Sequence, residues 1–144
     1  MGEDSLKFFG EIKVSEVMVP NNKLVFTTPD EKISTSEILM LKRKIGGLPV
    51  INDNTRRQVV GIITQRDIRL SRFAVSVDTP LTTVKDLMTP EPFVVKKDNT
   101  IKEALKIMFE QKIERLPVVN ENNELIGLIG QQRILKKLYQ SLVK

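Results

Sequence analysis

The chain of 144 residues contains no cysteine, no histidine and no tryptophan. Without a thiol or an imidazole it has no thiolate nucleophile, no imidazole base, no Ser-His-Asp triad and no zinc site built on nitrogen or sulfur ligands. Disulfides are excluded too, so nothing points to an oxidising compartment. Aromatic residues make up only 5% of the chain, with a single tyrosine, which leaves few platforms for stacking bases. The longest charge-free runs, such as Leu125 to Gln132, are eight residues, far short of the ~18 needed for a membrane span. The start, MGEDSLKFF, lacks the basic and apolar segments of a signal peptide. Leu6 stands where a myristoylation signal wants Ser or Thr. The expectation is a soluble, cytoplasmic protein with no membrane partner. What is present, 40% hydrophobic and 28% charged residues, is enough for a core of ordinary domain size.

Lys plus Arg outnumber Asp plus Glu by 23 to 18, for a net charge of +5. Residues 1–124 are nearly balanced, whereas residues 125–144 carry Arg133, Lys136, Lys137 and Lys144 with no acid. This tail reads either as a contact for phosphate, nucleic acid or an acidic partner, or as a last helix whose cations suit its dipole and a solvated face.

The chain repeats itself. A shift of 68 aligns IGGLPVIN (45–52) with IERLPVVN (113–120), and pairs Asp30 with Asp98, Ile33 with Ile101 and Met40 with Met108. Upstream, VSEVMVP (14–20) matches VKDLMTP (84–90) at 70; downstream, VGIITQRDI (60–68) matches IGLIGQQRI (126–134) at 66. Four blocks in the same order make chance an unreasonable explanation, and loop insertions account for the drift.

Each repeat reads as a short helical lead-in, an extended piece, an amphipathic helix, two strands and a closing helix. Ser15 and Thr83 are cap candidates for the lead-ins, and Pro20 and Pro90 stop them. The extended pieces are LVFTT (24–28) and FVV (93–95). Ile101, Ala104, Leu105, Met108 and Phe109 share a helical face behind a Thr100–Glu103 capping box; in the first repeat Ser34–Glu37 is the expected cap. The Met rows read as core filling. The expected division is an N-terminal extension (1–12), repeat one (13–72), a connector (73–82) and repeat two (83–144). A unit of ~60 residues is marginal alone. Two units packed sheet to sheet would share a core and leave two pseudo-equivalent grooves at strand ends and helix starts, where small ligands bind.

One groove carries Thr64-Gln65-Arg66-Asp67 where a strand runs into a helix. Such a helix start offers unpaired N–H groups for a phosphate. Thr64 adds a hydroxyl, and Asp67 is an acceptor suited to two neighbouring hydroxyls such as those of a ribose. Thr-x-x-Asp is equally a variant capping box that only satisfies the backbone. The second repeat has Gly130-Gln131-Gln132-Arg133 there, which removes the hydroxyl and replaces the acceptor with a cationic donor. Before Leu-Pro-Val the first repeat has Gly46-Gly47 and the second Glu114-Arg115. Arg115 could fork onto a phosphate or form an ordinary surface salt bridge.

These residues resemble a tandem CBS-domain pair (Bateman module) from about Val14 to about Leu138, through GLPVI with VVGIITQRDI and RLPVV with LIGLIG. The resemblance implies an α/β (α+β) fold of two β-α-β-β-α repeats with pseudo-twofold symmetry. GGLPVINDNTRRQVVGIITQRDIRLSRF is especially similar to the CBS insert of IMP dehydrogenase, without a counterpart of its catalytic barrel or cysteine nucleophile, so no catalysis is expected. Family members bind adenosyl compounds (AMP, ADP, ATP, sometimes S-adenosylmethionine) as regulatory ligands, each cleft joining the Thr-x-x-Asp of one repeat to the other repeat. Carried over, Asp67 holds the ribose. Thr64 and Arg115 meet the phosphate, with Arg66 a weaker candidate beside Gln65. Phe93, Val94, Ile113 and Pro117 wall the base, and Glu114 lies in the same segment. The cleft of Gly130 and Arg133 departs from the pattern and is expected to be empty or to bind something else.

The function expected is therefore an adenine-nucleotide sensor with one ligand per chain. Its alternatives are nucleic-acid or acidic-partner binding through the basic tail, and a ligand-free interaction scaffold. The family also implies a homodimer, and Leu6, Phe8 and Phe9 need a core or a partner. The effector it would regulate is not legible.

Overall fold

The structure, a computed structural model, describes residues 2–74 and 80–143. Part of the expected connector, residues 75–79, lies outside the described residues. The fold is mixed α+β, with two sheets and six α-helices among the described residues. No described helix is long and apolar enough to cross a membrane.

The chain divides into two compact units, and these are not the two sequence repeats. Unit 1 is Met1–Leu24 with Phe93–Lys144, and unit 2 is Val25–Pro92. Each unit thus takes its lead-in from the other repeat.

Unit 1 contains α1 (Glu3–Gly10), a 3₁₀ turn (Val14–Glu16), β1 (Val19–Pro20) and a second 3₁₀ turn (Asn21–Lys23). Its equivalents of strand, helix, strand, strand and helix are β5 (Val95–Lys96), α5 (Ile101–Gln111), β6 (Arg115–Val119), β7 (Leu125–Gly130) and α6 (Gln131–Leu142). The sheet runs β1-β7-β6-β5, with β5 parallel to β6 and the other pairs antiparallel. β6 is buried along nearly its whole length, while β7 alternates buried and half-buried residues, as a central strand and its half-covered neighbour should. Val14 and Val17 of the lead-in join Ile101, Ala104, Met108, Leu116, Val118 and Ile129 in the core, and Phe9 of α1 packs against it. Leu6 and Phe8 stay exposed.

Unit 2 contains α2 (Ile33–Arg43), β2 (Gly47–Ile51), β3 (Val59–Thr64), α3 (Gln65–Phe73), α4 (Val84–Leu87) and β4 (Thr89–Pro90). Its sheet runs β2-β3-β4, all antiparallel. Both long hairpins carry a register shift at matching places, Val50/Ile51 and Val118/Val119. Val84 of the lead-in joins Ile33, Met40, Leu48, Val50, Ile63 and Ile68 in the core. The lead-ins cross a glycine in both units. A methyl added at Gly61 would meet Met88 Sδ and the Thr89 carbonyl, and one at Gly127 would meet Met18 Sδ and the Val19 carbonyl. A side chain at these positions would require the methionine to move and the neighbouring strand to shift slightly.

Several local expectations needed correction. The extended piece at 24–28 is reduced to a single parallel bridge, Thr27 to Val50, because Pro29 has no N–H to carry the ladder further. The residue capping α2 is Lys32, not Ser34: the Ile33 N–H donates to Thr82 O at 3.1 Å, and Ser36 turns inward to share a 2.9 Å hydrogen bond with Thr27. Lys13, not Ser15, precedes the first lead-in turn, and Glu16 accepts its N–H at 3.2 Å. On α5, Phe109 lies on the solvent edge and is 70% exposed, whereas Met40 and Met108 fill the two cores.

Candidate functional site

Thr64 closes β3, and Gln65, Arg66 and Asp67 form the first turn of α3. The four residues face a common helix start because the strand passes straight into the helix. Asp67 Oδ2 accepts the Thr64 N–H at 2.9 Å, and Thr64 Oγ1 accepts the Asp67 N–H at 3.1 Å. The capping box is therefore formed. It occupies only one carboxylate oxygen of Asp67, whose side chain is half-buried, so Oδ1 keeps its acceptor capacity. The Gln65 N–H donates to Gly46 O at 2.9 Å and its side chain reaches Ile45 O at 3.4 Å, which fixes the helix start on the residues before β2. Arg66 is exposed.

The matching helix start in unit 1 has the same backbone and different chemistry. The Gln131 N–H donates to Glu114 O at 3.0 Å, as Gln65 does to Gly46. Gly130 gives α6 no side-chain cap, and the first turn carries no acid. Arg133 does not face an open groove as a bare cation. Its Nε donates to Val17 O at 2.9 Å and its terminal nitrogen to Met18 O at 3.1 Å, so the guanidinium grips the lead-in. Sequence reasoning missed this role, since the partners lie 116 and 115 residues away.

The remaining six expected site residues all lie in unit 1. Phe93, half exposed, and Val94 run into β5. Val95 pairs with Val118, which places this stretch along β6. Ile113 packs against the unit 1 core, and its N–H closes α5 on Met108 O at 3.0 Å. Glu114 is exposed, and Arg115 opens β6 with its guanidinium 3.6 Å from the Glu114 carboxylate. Pro117 is buried in β6. No group of three or more acidic side chains that could hold a metal ion occurs among the described residues.

The CBS-domain family model matches this chain twice, over residues 14–81 and 84–140. The chain belongs to the CBS-domain family. Inosine-5'-monophosphate dehydrogenase of Bacillus subtilis is 39% identical over 128 residues, covering 88% of this chain and 25% of that protein. The enzyme of Methanocaldococcus jannaschii is 34% identical over 125 residues, covering 87% and 23%. The chain therefore spans about a quarter of the length of these relatives, their CBS part and not their catalytic domain. Among solved structures, the CBS-pair protein CBSX2 of Arabidopsis thaliana in complex with AMP superposes with a TM-score of 0.80 at 30% identity, covering 90% of this chain and 98% of that one.

Proposed function

We propose that this CBS pair is a regulatory module that senses an adenine nucleotide, holding one adenosyl ligand per chain and catalysing nothing. The observation that carries the reading is Asp67: a carboxylate at the start of α3 with one oxygen uncommitted, where the matched position of the other unit holds a guanidinium tied to backbone. Asp67 takes the ribose hydroxyls, Thr64 and Arg115 the phosphate, and Phe93, Val94, Ile113 and Pro117 the base, with Gln65, Arg66 and Glu114 at the margin. The AMP complex of CBSX2, alike over nine-tenths of this chain, supports AMP, ADP or ATP as the ligand class. S-adenosylmethionine is the competing adenosyl ligand. A homodimer and a separate effector protein complete the proposal, and light scattering with and without nucleotide tests the first.

One observation favours a different reading, a ligand-free scaffold: the Thr64–Asp67 pair already satisfies a helix start. Against nucleic-acid binding through the tail, Arg133 already commits two of its donors to backbone carbonyls. A thermal-shift panel of AMP, ADP, ATP, GTP and S-adenosylmethionine separates these readings. An adenosyl ligand at about 100 times its Kd should raise the melting temperature by about 5–10 °C, and GTP should not. Silence across the panel favours the scaffold. Retention on DNA that falls steeply with salt revives the nucleic-acid reading.

A further inference from the structure

The two lead-ins are near copies, which makes their differences informative. In unit 1 the N–H groups of Val14 and Ser15 donate to Asn99 O (2.7 Å) and Lys97 O (3.0 Å); in unit 2 those of Val84 and Lys85 donate to Glu31 O and Pro29 O, both at 2.9 Å. The next turn closes identically, Met18 N–H on Val14 O at 2.9 Å and Met88 N–H on Val84 O at 2.8 Å. Both valines are fully buried. Both methionines lie across a strand glycine.

The difference comes from the closing helix. Arg133 of α6 donates two hydrogen bonds to the Val17 and Met18 carbonyls. Its counterpart Asp67 has no proton to give the equivalent carbonyls of Leu87 and Met88, and it turns back to Thr64. The exits differ as well. After β1 a 3₁₀ turn, Asn21–Lys23, packs against β7. After β4 the chain instead passes through Glu91 at φ 46, a left-handed conformation that disfavours a side chain. Among the described residues, the closing helix of unit 1 donates side-chain hydrogen bonds to its lead-in, whereas that of unit 2 meets its lead-in through packing without such bonds.

We infer that Arg133 is a positioning residue, a built-in tether that immobilises the lead-in of unit 1 and confines any ligand-driven movement to the α4–β4 lead-in of unit 2. α3 carries Asp67, is capped by Thr64 and packs against α4. A ligand on Asp67 thus acts on the helix that supports the untethered lead-in. This second part rests on the nucleotide reading above; the tether itself does not.

Hydrogen exchange read by mass spectrometry on the whole chain tests both parts, with AMP as the probe and its binding followed separately by calorimetry. Without nucleotide, amides within 15–20 should exchange at least about 10-fold more slowly than those within 85–90, the least that one hydrogen bond from a charged donor supplies. R133A should bring 15–20 to the rate of 85–90 and leave AMP affinity within about 2-fold; R133K, with one donor head, should fall between. Saturating AMP should slow exchange at 84–90 and leave 14–20 unchanged. Equal exchange of the two lead-ins without nucleotide, or no response to R133A, overturns the tether. AMP that binds yet protects both lead-ins alike overturns the one-sided response. Failure of AMP to bind overturns AMP as the ligand and with it the response to AMP, while the nucleotide-free comparison still decides the tether.

Discussion

The helices α3 and α6 start from the same backbone and are secured in opposite ways. α3 is secured at its own first turn, by reciprocal bonds between Thr64 and Asp67. α6 lacks a side-chain cap and is secured from the same position of its first turn, by Arg133 on the lead-in. Three substitutions in four positions, Thr to Gly, Arg to Gln and Asp to Arg, convert one solution into the other without altering the strand that precedes the helix or its bond to the residues before β2/β6. A duplicated unit can therefore keep its scaffold while exchanging an acceptor that remains open for an internal lock. The fold constrains where these side chains sit, and chemistry alone separates their roles.

The largest expected effect breaks the comparison at that position. Asp67→Ala should weaken AMP binding by about 10-fold or more, since a hydrogen bond to a charged group contributes about 1.5–3 kcal/mol. The loss of its cap should also cost about 1 kcal/mol of stability. Titration calorimetry beside urea unfolding measures the two separately, and equal affinity losses in D67A and R133A would remove the distinction between the units.

Next come the glycines, where the units should behave alike. Gly61→Ala and Gly127→Ala each drive a methyl into a methionine and a backbone carbonyl, and each should cost about 1–3 kcal/mol in urea unfolding. A neutral result at either would mean that its lead-in is not seated on the strand.

The helix starts sharpen the contrast at smaller amplitude. Thr64→Ala removes a cap and should cost about 1 kcal/mol. Gly130→Ala should cost somewhat less, about 0.5–1 kcal/mol, because glycine outranks alanine at an N-cap while an added Cβ meets only ordinary contacts at 3.4 and 3.6 Å.

The smallest effect concerns α5, which has a box where α2 has none. The Thr100 N–H, then the Asn99 amide and the Thr100 hydroxyl, hold the Glu103 carboxyl below its ordinary 4.5. A lowered pKa in the folded state stabilises the fold above the unfolded value and ceases to do so as the pH falls through the folded one. Glu103→Gln should therefore lose a little stability at neutral pH and none in acid below the folded pKa. The group is solvent-exposed, so screening keeps this effect small.

The hairpins and closing helices could be read directly from the sequence, because GLPVI and VVGII are β-branched runs bounded by polar turns and both repeats carry them. The Thr100–Glu103 box and the Thr83 cap were legible for the same local reason: the partners, Glu103 and Asp86, lie three residues further on. What was not legible depended on distance. The exchange of lead-ins between repeats leaves no local trace, since VSEVMVP and VKDLMTP look like the starts of the repeats they precede. The start of α2 is set by Thr82 O, far along the chain, so a plausible Ser34 cap was overruled by a tertiary bond. At the site, the identity of the Thr64–Asp67 pair was readable, together with its double meaning. Arg133 was readable as a cation in the wrong place for ribose but not as a lock, because no pattern announces a bond to a carbonyl 116 residues away.

The most direct test of the lopsided pair is a crystal structure with AMP. The account predicts one adenylate per chain, its ribose hydroxyls on Asp67 Oδ1, with Arg133 still bonded to Val17 and Met18. Adenylate held by Arg133, or by both positions equally, would contradict it.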